Sequence, residues 1–140
     1  MLEIGSTAEA SLDLTDRDMA STLPIGAEDA AFPEVLATSR MIALMELAAA
    51  RAMKPLLQPG QMSVGVTVNI KHFAATPNHI RVWAKATFVG QEGKLYKFTI
   101  EAFDPGGKIG EGEHTRAIIS EERLMQGAKS RVEGKSATGN

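Results

Sequence analysis

The chain has 140 residues, with 15 Lys and Arg against 17 Asp and Glu and a formal net charge of −2. A hydrophobic fraction of 44% and a charged fraction of 23% are ordinary for a soluble globular protein, and this length buries a core without disulfide or metal staples. The charge balance argues against a general nucleic-acid partner. The absence of cysteine excludes a disulfide scaffold, a thiolate zinc site, an iron–sulfur cluster and a cysteine nucleophile.

The chain starts without the basic and apolar regions of a secretory signal. Its most apolar stretch, residues 35–53, is broken by Arg40, Glu46 and Arg51, too polar for a membrane span. A cytoplasmic protein with no membrane partner is expected.

Weak alternation over residues 8–15, with Leu12 and Leu14 in phase, suggests an opening strand. Pro24, Gly26 and Pro33 mark a loop. Residues 34–54 are rich in Ala, Leu and Met and predict one long helix. It starts either with Pro33 at the first helical position or with Thr38 or Ser39 as the cap, and Pro55, Pro59 and Gly60 stop it. At about 20 residues it is about 30 Å long. It is apolar nearly all round, so it is covered on most sides.

After Gly60 the period changes to two. Val64, Val66, Val68 and Ile70 share one face of residues 62–72, and His72 closes that face. Residues 79–89, 94–103 and 108–120 read as three further strands. Gly90-Gln91-Glu92-Gly93 and Asp104-Pro105-Gly106-Gly107 are hairpin connections. Residues 126–140 lack aromatics and, except for Val132, bulky aliphatics, which predicts a frayed tail after a single domain over residues 1–125.

Strand, long helix, then four antiparallel strands is an α+β order: one central helix wrapped by one curved antiparallel sheet of about five strands. That arrangement is the hotdog fold. Wrapping by a single sheet leaves part of the helix and a sheet edge uncovered, so a homodimer is expected.

Glu46 has Ile42, Ala43, Ala49 and Ala50 as its helical neighbours and therefore no partner on its own helix. Arg40, Arg51 and Lys54 form a stripe roughly 110° around the wheel from it. Such a carboxylate takes a partner from the sheet, which is a structural role, or serves as a buried acid–base group. His72 points toward the helix by alternation and is either a hydrogen-bonded core residue or a general acid–base. Thr38 is a cap or a site hydroxyl. Gly65 marks a bulge, a packing need or a close ligand approach. Arg116 shares a strand face with His114 and either binds an anion or pairs with a sheet neighbour. Glu111, Glu113 and His114 match no metal-ligand spacing, and no metal is expected.

Three blocks add a resemblance. They are Phe32-Pro33-Glu34-Val35-Leu36-Ala37-Thr38 with Leu44-Met45-Glu46 and Arg51-Ala52-Met53, then residues 68–77 from Val68-Asn69-Ile70-Lys71-His72 onward, and Gly110-Glu111-Gly112-Glu113-His114-Thr115-Arg116-Ala117. In order and spacing they closely resemble the fluoroacetyl-CoA thioesterase-like branch of the hotdog thioesterases. The resemblance implies hydrolysis of a small acyl-CoA to free acid and CoA, with the acyl group open. It implies that Thr38, Glu46 and His72 act together, and that Phe32, Gly65 and Arg116 contribute to the acyl-CoA site. No cofactor is implied, CoA being part of the substrate. A hotdog dehydratase and an acyl-CoA-binding module without turnover are the alternatives. The resemblance and the alternation together predict that Glu46 and His72 face one pocket, within direct or one-water reach, with Thr38 at its edge.

Overall fold

The computed structural model describes residues 1–134. Strand β1 (Thr7–Asp13) is followed by two short 3-10 turns and a loop that leads to helix α1 (Thr38–Met53). Strands β2 (Gln61–His72), β3 (Arg81–Glu92), β4 (Leu95–Asp104) and β5 (Gly107–Ser120) come next, and helix α2 (Glu121–Val132) closes the order. The five strands form one antiparallel sheet in the order β1-β3-β4-β5-β2. The α+β hotdog architecture is the one its sequence predicts.

Helix α1 buries Met41, Leu44, Met45, Ala48, Ala49, Ala52 and Met53, a stripe at helical spacing. Beneath it the sheet presents Ala10, Ala84, Ala86 and Ala102, all buried. Small side chains on both surfaces let helix and sheet approach closely, and Phe88, Phe98 and Ile100 fill the space around them. The helix rests mainly on β1 and β3 and reaches β4 and β2 less.

The helix is therefore less enclosed than its composition suggests. Its Leu47 is 45% exposed, and Met62, Val66 and Val68 of the neighbouring edge strand β2 are also exposed. This is an uncovered apolar face beside an unpaired strand edge. Two residues of the basic stripe are engaged with the rest of the fold. Arg40 pairs with the buried Asp18 at 3.0 Å, and Arg51 donates to the Glu9 carbonyl.

Two sequence expectations require correction. The helix starts at Thr38, not near residue 34, and its cap is Ala37 with no side-chain cap bond. Strand β2 does not keep one phase. Its pairing with β5 slips between Gly65 and Thr67, leaving Val66 as a bulge. On β5, alternation is unbroken from Gly110 to Ser120, so residues 114, 116 and 118 share the inner face. Their partners are Val68, Gly65 and Ser63. The bulge thus turns Ser63 and Gly65 inward and moves Val64 to the opposite face from the one predicted.

Residues 126–132, expected as a loose tail, are helical. Ser120 caps α2 by accepting from the Arg123 amide, Glu121 and Glu122 lie in the first turn, and Lys129 and Arg131 lie in the last. These charges complement the helix dipole. The helix is exposed throughout most of its length. The rest of the expected tail, residues 135–140, lies outside the described residues. Among those described, no helix is long and apolar enough to cross a membrane.

Candidate active site

The amino end of α1 meets the end of β2. Thr38 spends its hydroxyl on a hydrogen bond to His72 Nδ1, at 2.8 Å, where a cap would have used it locally. The pair borders a cleft of about 360 Å³ lined by Ala20, Pro33, Leu36, Phe73 and Ala75 among others. His72 Nε2 is buried without a hydrogen-bond partner. An orphaned buried polar atom costs about 1–3 kcal/mol. Burial pushes the His72 pKa below its ordinary value, with the backbone of Ala74 acting the other way. Burial thus favours the neutral imidazole.

A second group lies half way along α1. Glu46 Oε2 accepts from Arg116 Nη1 at 2.9 Å. Arg116 is buried, and it also donates from Nε to the Ser63 hydroxyl and from Nη2 to the Ser63 carbonyl. Gly65 lies directly against this pair. A methyl group on it would collide with Glu46 Oε2 and sit 3.2 Å from His114 Cε1. His114 is buried beside them, with its Nε2 3.2 Å from Arg116 Nη1 and its Nδ1 2.8 Å from the Thr67 carbonyl. Burial lowers the His114 pKa first; the Arg116 charge lowers it further, while the Thr67 bond and Glu46 oppose.

The structure thus joins Thr38 with His72, and Glu46 with Arg116 and Gly65. It does not join the two groups within one protomer, where Glu46 and His72 were expected in one pocket within direct or one-water reach. The reason is geometric. Gly65 and His72 are seven residues apart on an extended strand, a separation of about 20 Å. Thr38 and Glu46 are two turns apart on the helix, about 12 Å. Phe32 stands half exposed in the loop before α1, next to the cleft residue Pro33. Ser63 and His114 were not assigned to the site by sequence. The bulge that recruits Ser63 breaks the alternation used to place it, and only the Gly at position 65 hinted at that bulge.

The two histidines make a prediction about stability. Both have pKa values lowered from the ordinary 6.5. The unfolded chain then binds more protons than the folded one as pH falls through about 6.5, so their contribution is complete above that value and is lost below it. Thermal melts at pH 7.5 and 5.5 are expected to show a clear fall in Tm at the lower pH, and an unchanged Tm would contradict the burial of both rings.

One long helix laid across one curved antiparallel sheet is the plan of the hotdog thioesterases. The chain belongs to the family of fluoroacetyl-CoA-specific thioesterases, whose pattern matches residues 16–122. It is 42% identical over 101 residues to the fluoroacetyl-CoA thioesterase of Streptantibioticus cattleyicolor, covering 72% of this chain and 73% of that protein. A solved structure of the fluoroacetyl-CoA thioesterase FlK superposes with a TM-score of 0.87 at 34% identity, covering 93% of this chain and 97% of that one. A phenylalanine-to-alanine mutant of FlK in complex with fluoroacetate and CoA superposes with a TM-score of 0.81 at 34% identity, over 87% and 98% of the two chains. Among the described residues no three His, Asp or Glu side chains converge as metal ligands would.

Proposed function

We propose that the protein hydrolyses a small acyl-CoA thioester at a site completed by two copies of the chain. It is an acyl-CoA thioesterase by family membership; the residue roles, the dimer and the small acyl group are our reading. The observation that carries it is the Thr38–His72 hydrogen bond beside a cleft, with His72 Nε2 left unpartnered.

With the Thr38 hydroxyl donating to Nδ1, the neutral ring carries its proton on Nε2. That N–H is then the donor for the thioester carbonyl and for the oxyanion that develops on it. The amino end of α1 lies at the same cleft, and its first-turn N–H groups favour negative charge there. Glu46, held by Arg116, is the carboxylate that takes a proton from the attacking water or attacks the carbonyl itself. The thiolate leaving group needs little assistance, and no cofactor enters the scheme. In this scheme Arg116 acts on the site through Glu46, since its buried guanidinium is already engaged by Ser63, Glu46 and His114.

The separation between the two groups is closed by a partner. Strand β2 is an open edge with exposed apolar residues, and Leu47 lies exposed on the adjoining helix. Two β2 edges paired antiparallel about a two-fold axis at Asn69 would set Val68 opposite the partner's Ile70. The bulge at Val66 would then place His72 opposite the partner's Gly65, next to the partner's Glu46. This register keeps all the inner-face residues of both strands inside. The binding-module alternative would place the Glu46–Arg116 pair outside any site; the inward Gly65 beside that pair favours the catalytic reading.

Thiol release is measured over a panel of short acyl-CoAs, fluoroacetyl-CoA included. The panel should contain at least one substrate that turns over, and binding without release across it would favour the module. Mixing inactive Glu46→Gln with inactive His72→Gln should restore roughly a quarter of the parental activity, because each mixed dimer contains one intact composite site. No restoration after subunit exchange would place all three residues in one protomer's site.

A further inference from the structure

His114 takes no part in the scheme above, yet it is 1% exposed and bonded at both ring nitrogens. A carbonyl oxygen can only accept, so the 2.8 Å contact with Thr67 puts the proton on Nδ1. Nε2 is then a bare lone pair, and Arg116 Nη1 donates to it at 3.2 Å. The same Nη1 donates to Glu46 Oε2 at 2.9 Å. Ser63 holds the opposite edge of the guanidinium through its hydroxyl and its carbonyl. Ser63 alone leaves the far Nη1 free to tilt, whereas Ser63 and His114 together fix both ends of the guanidinium plane.

We propose that His114 is a positioning residue: as a neutral imidazole of fixed tautomer it locks the Arg116 guanidinium so that Nη1 presents Glu46 to the thioester. This rests on the reading of Glu46 as the working carboxylate. Neutrality is essential, because an imidazolium would point an N–H at the guanidinium. The charged groups facing the ring are Arg116 on β5 and Glu46 on α1. Strand β2 contributes the Thr67 carbonyl and Gly65, and Phe98, the residue paired with His114 on β4, is apolar. The Nδ1 bond also seats Thr67 just past the Val66 bulge, so one ring ties the bulge, the guanidinium and the carboxylate together.

Two substitutions separate these jobs. His114→Asn places an amide N–H near the position of Nδ1 and leaves nothing at Nε2. His114→Gln places an amide oxygen near Nε2. On the best substrate of the full-length enzyme, His114→Asn is expected to lower kcat about tenfold, the scale of one hydrogen bond to a charged group, with KM changed less than about twofold. His114→Gln should recover kcat to within about threefold of the parent. In a Glu46→Gln background His114→Asn should cost nothing further, since it acts through that carboxylate. Parental kcat in His114→Asn beside an impaired Glu46→Gln would overturn the positioning role and leave the thioesterase reading intact. Equal loss in Asn and Gln variants of unchanged Tm, or an undiminished loss in the Glu46→Gln background, would overturn it as well. A Glu46→Gln enzyme at the parental rate would remove the underlying reading and this inference with it. The parent protein supplies an independent check should the variants fold poorly. Long-range proton–nitrogen spectra at pH 7.5 should show His114 as the neutral Nδ1–H tautomer, and an Nε2–H tautomer or an imidazolium at that pH would refute the assignment.

Discussion

Glu46→Gln is expected to lower kcat for the best thioester by about 10²-fold or more, the usual scale for loss of a general base. Gln keeps the length and shape of the side chain, and its amide oxygen can still accept from Arg116 Nη1. What it removes is the charge and the capacity to take a proton. The paired guanidinium changes the expected cost to stability. A lone buried carboxylate would be relieved by becoming neutral, but Arg116 is buried and loses its counter-charge in this variant. Glu46 itself is 41% exposed at its side chain, so the penalty is moderated by solvent. Folding should survive with a modestly lower Tm. Stopped-flow or thiol-capture assays at saturating substrate read the effect directly. A parental kcat in this variant would end the assignment of Glu46 to the chemistry.

Gly65→Ala is expected to lower activity by an amount on the order of 10²-fold while leaving the protein folded. The alanine methyl collides with Glu46 Oε2 and approaches Glu46 Cδ to 3.4 Å. Of the neighbours, the carboxylate is the one at the end of a flexible side chain, so it moves. Moving it breaks or lengthens the bond to Arg116, and an ångström of misplacement at a reacting group is costly. The backbone at Gly65 lies outside the left-handed region, and an alanine suits a strand better than a glycine. Loss of stability should therefore be small, and the split between Tm and kcat is the informative readout. If Gly65→Ala turned over at the parental rate, the closeness of Gly65 to Glu46 would have no catalytic meaning. Crystals of the variant should show the carboxylate displaced while β2 stays in register.

Much of the architecture was legible in local periodicity. The run of Ala, Leu and Met between the prolines could only be one long helix, and the Gly-containing turns at residues 90–93 and 104–107 could only join adjacent antiparallel strands. Of the two helix starts the sequence offered, the one near Pro33 was several residues early and the cap at Thr38 was one residue off. A threonine at that point reads as a cap, and nothing local indicates a histidine 34 residues away. The α2 helix was missed because its stability signals are a cap and end charges and it buries no residue.

The candidate site residues were legible as types. Glu46 without a helical partner, an inward His72, a glycine inside a strand and an arginine on a late strand each stood out, and the resemblance joined them. Their grouping was a matter of tertiary structure. One extra residue at Val66 reverses the phase of half a strand, because strand faces alternate with period two. That reversal brings Ser63 and Gly65 to Arg116 and leaves Val64 facing the other way. Periodicity reports which residues share a face only while the ladder is regular. The sequence by itself determined one helix, five strands and the chemical kinds of group available; pairing across β2 and β5 set Ser63 and Gly65 beside Arg116, the partner of Glu46, while His72 meets Thr38 at the far end of the strand. The reason is that hydrogen-bond register is a relation between two segments some fifty residues apart, and no single segment encodes it.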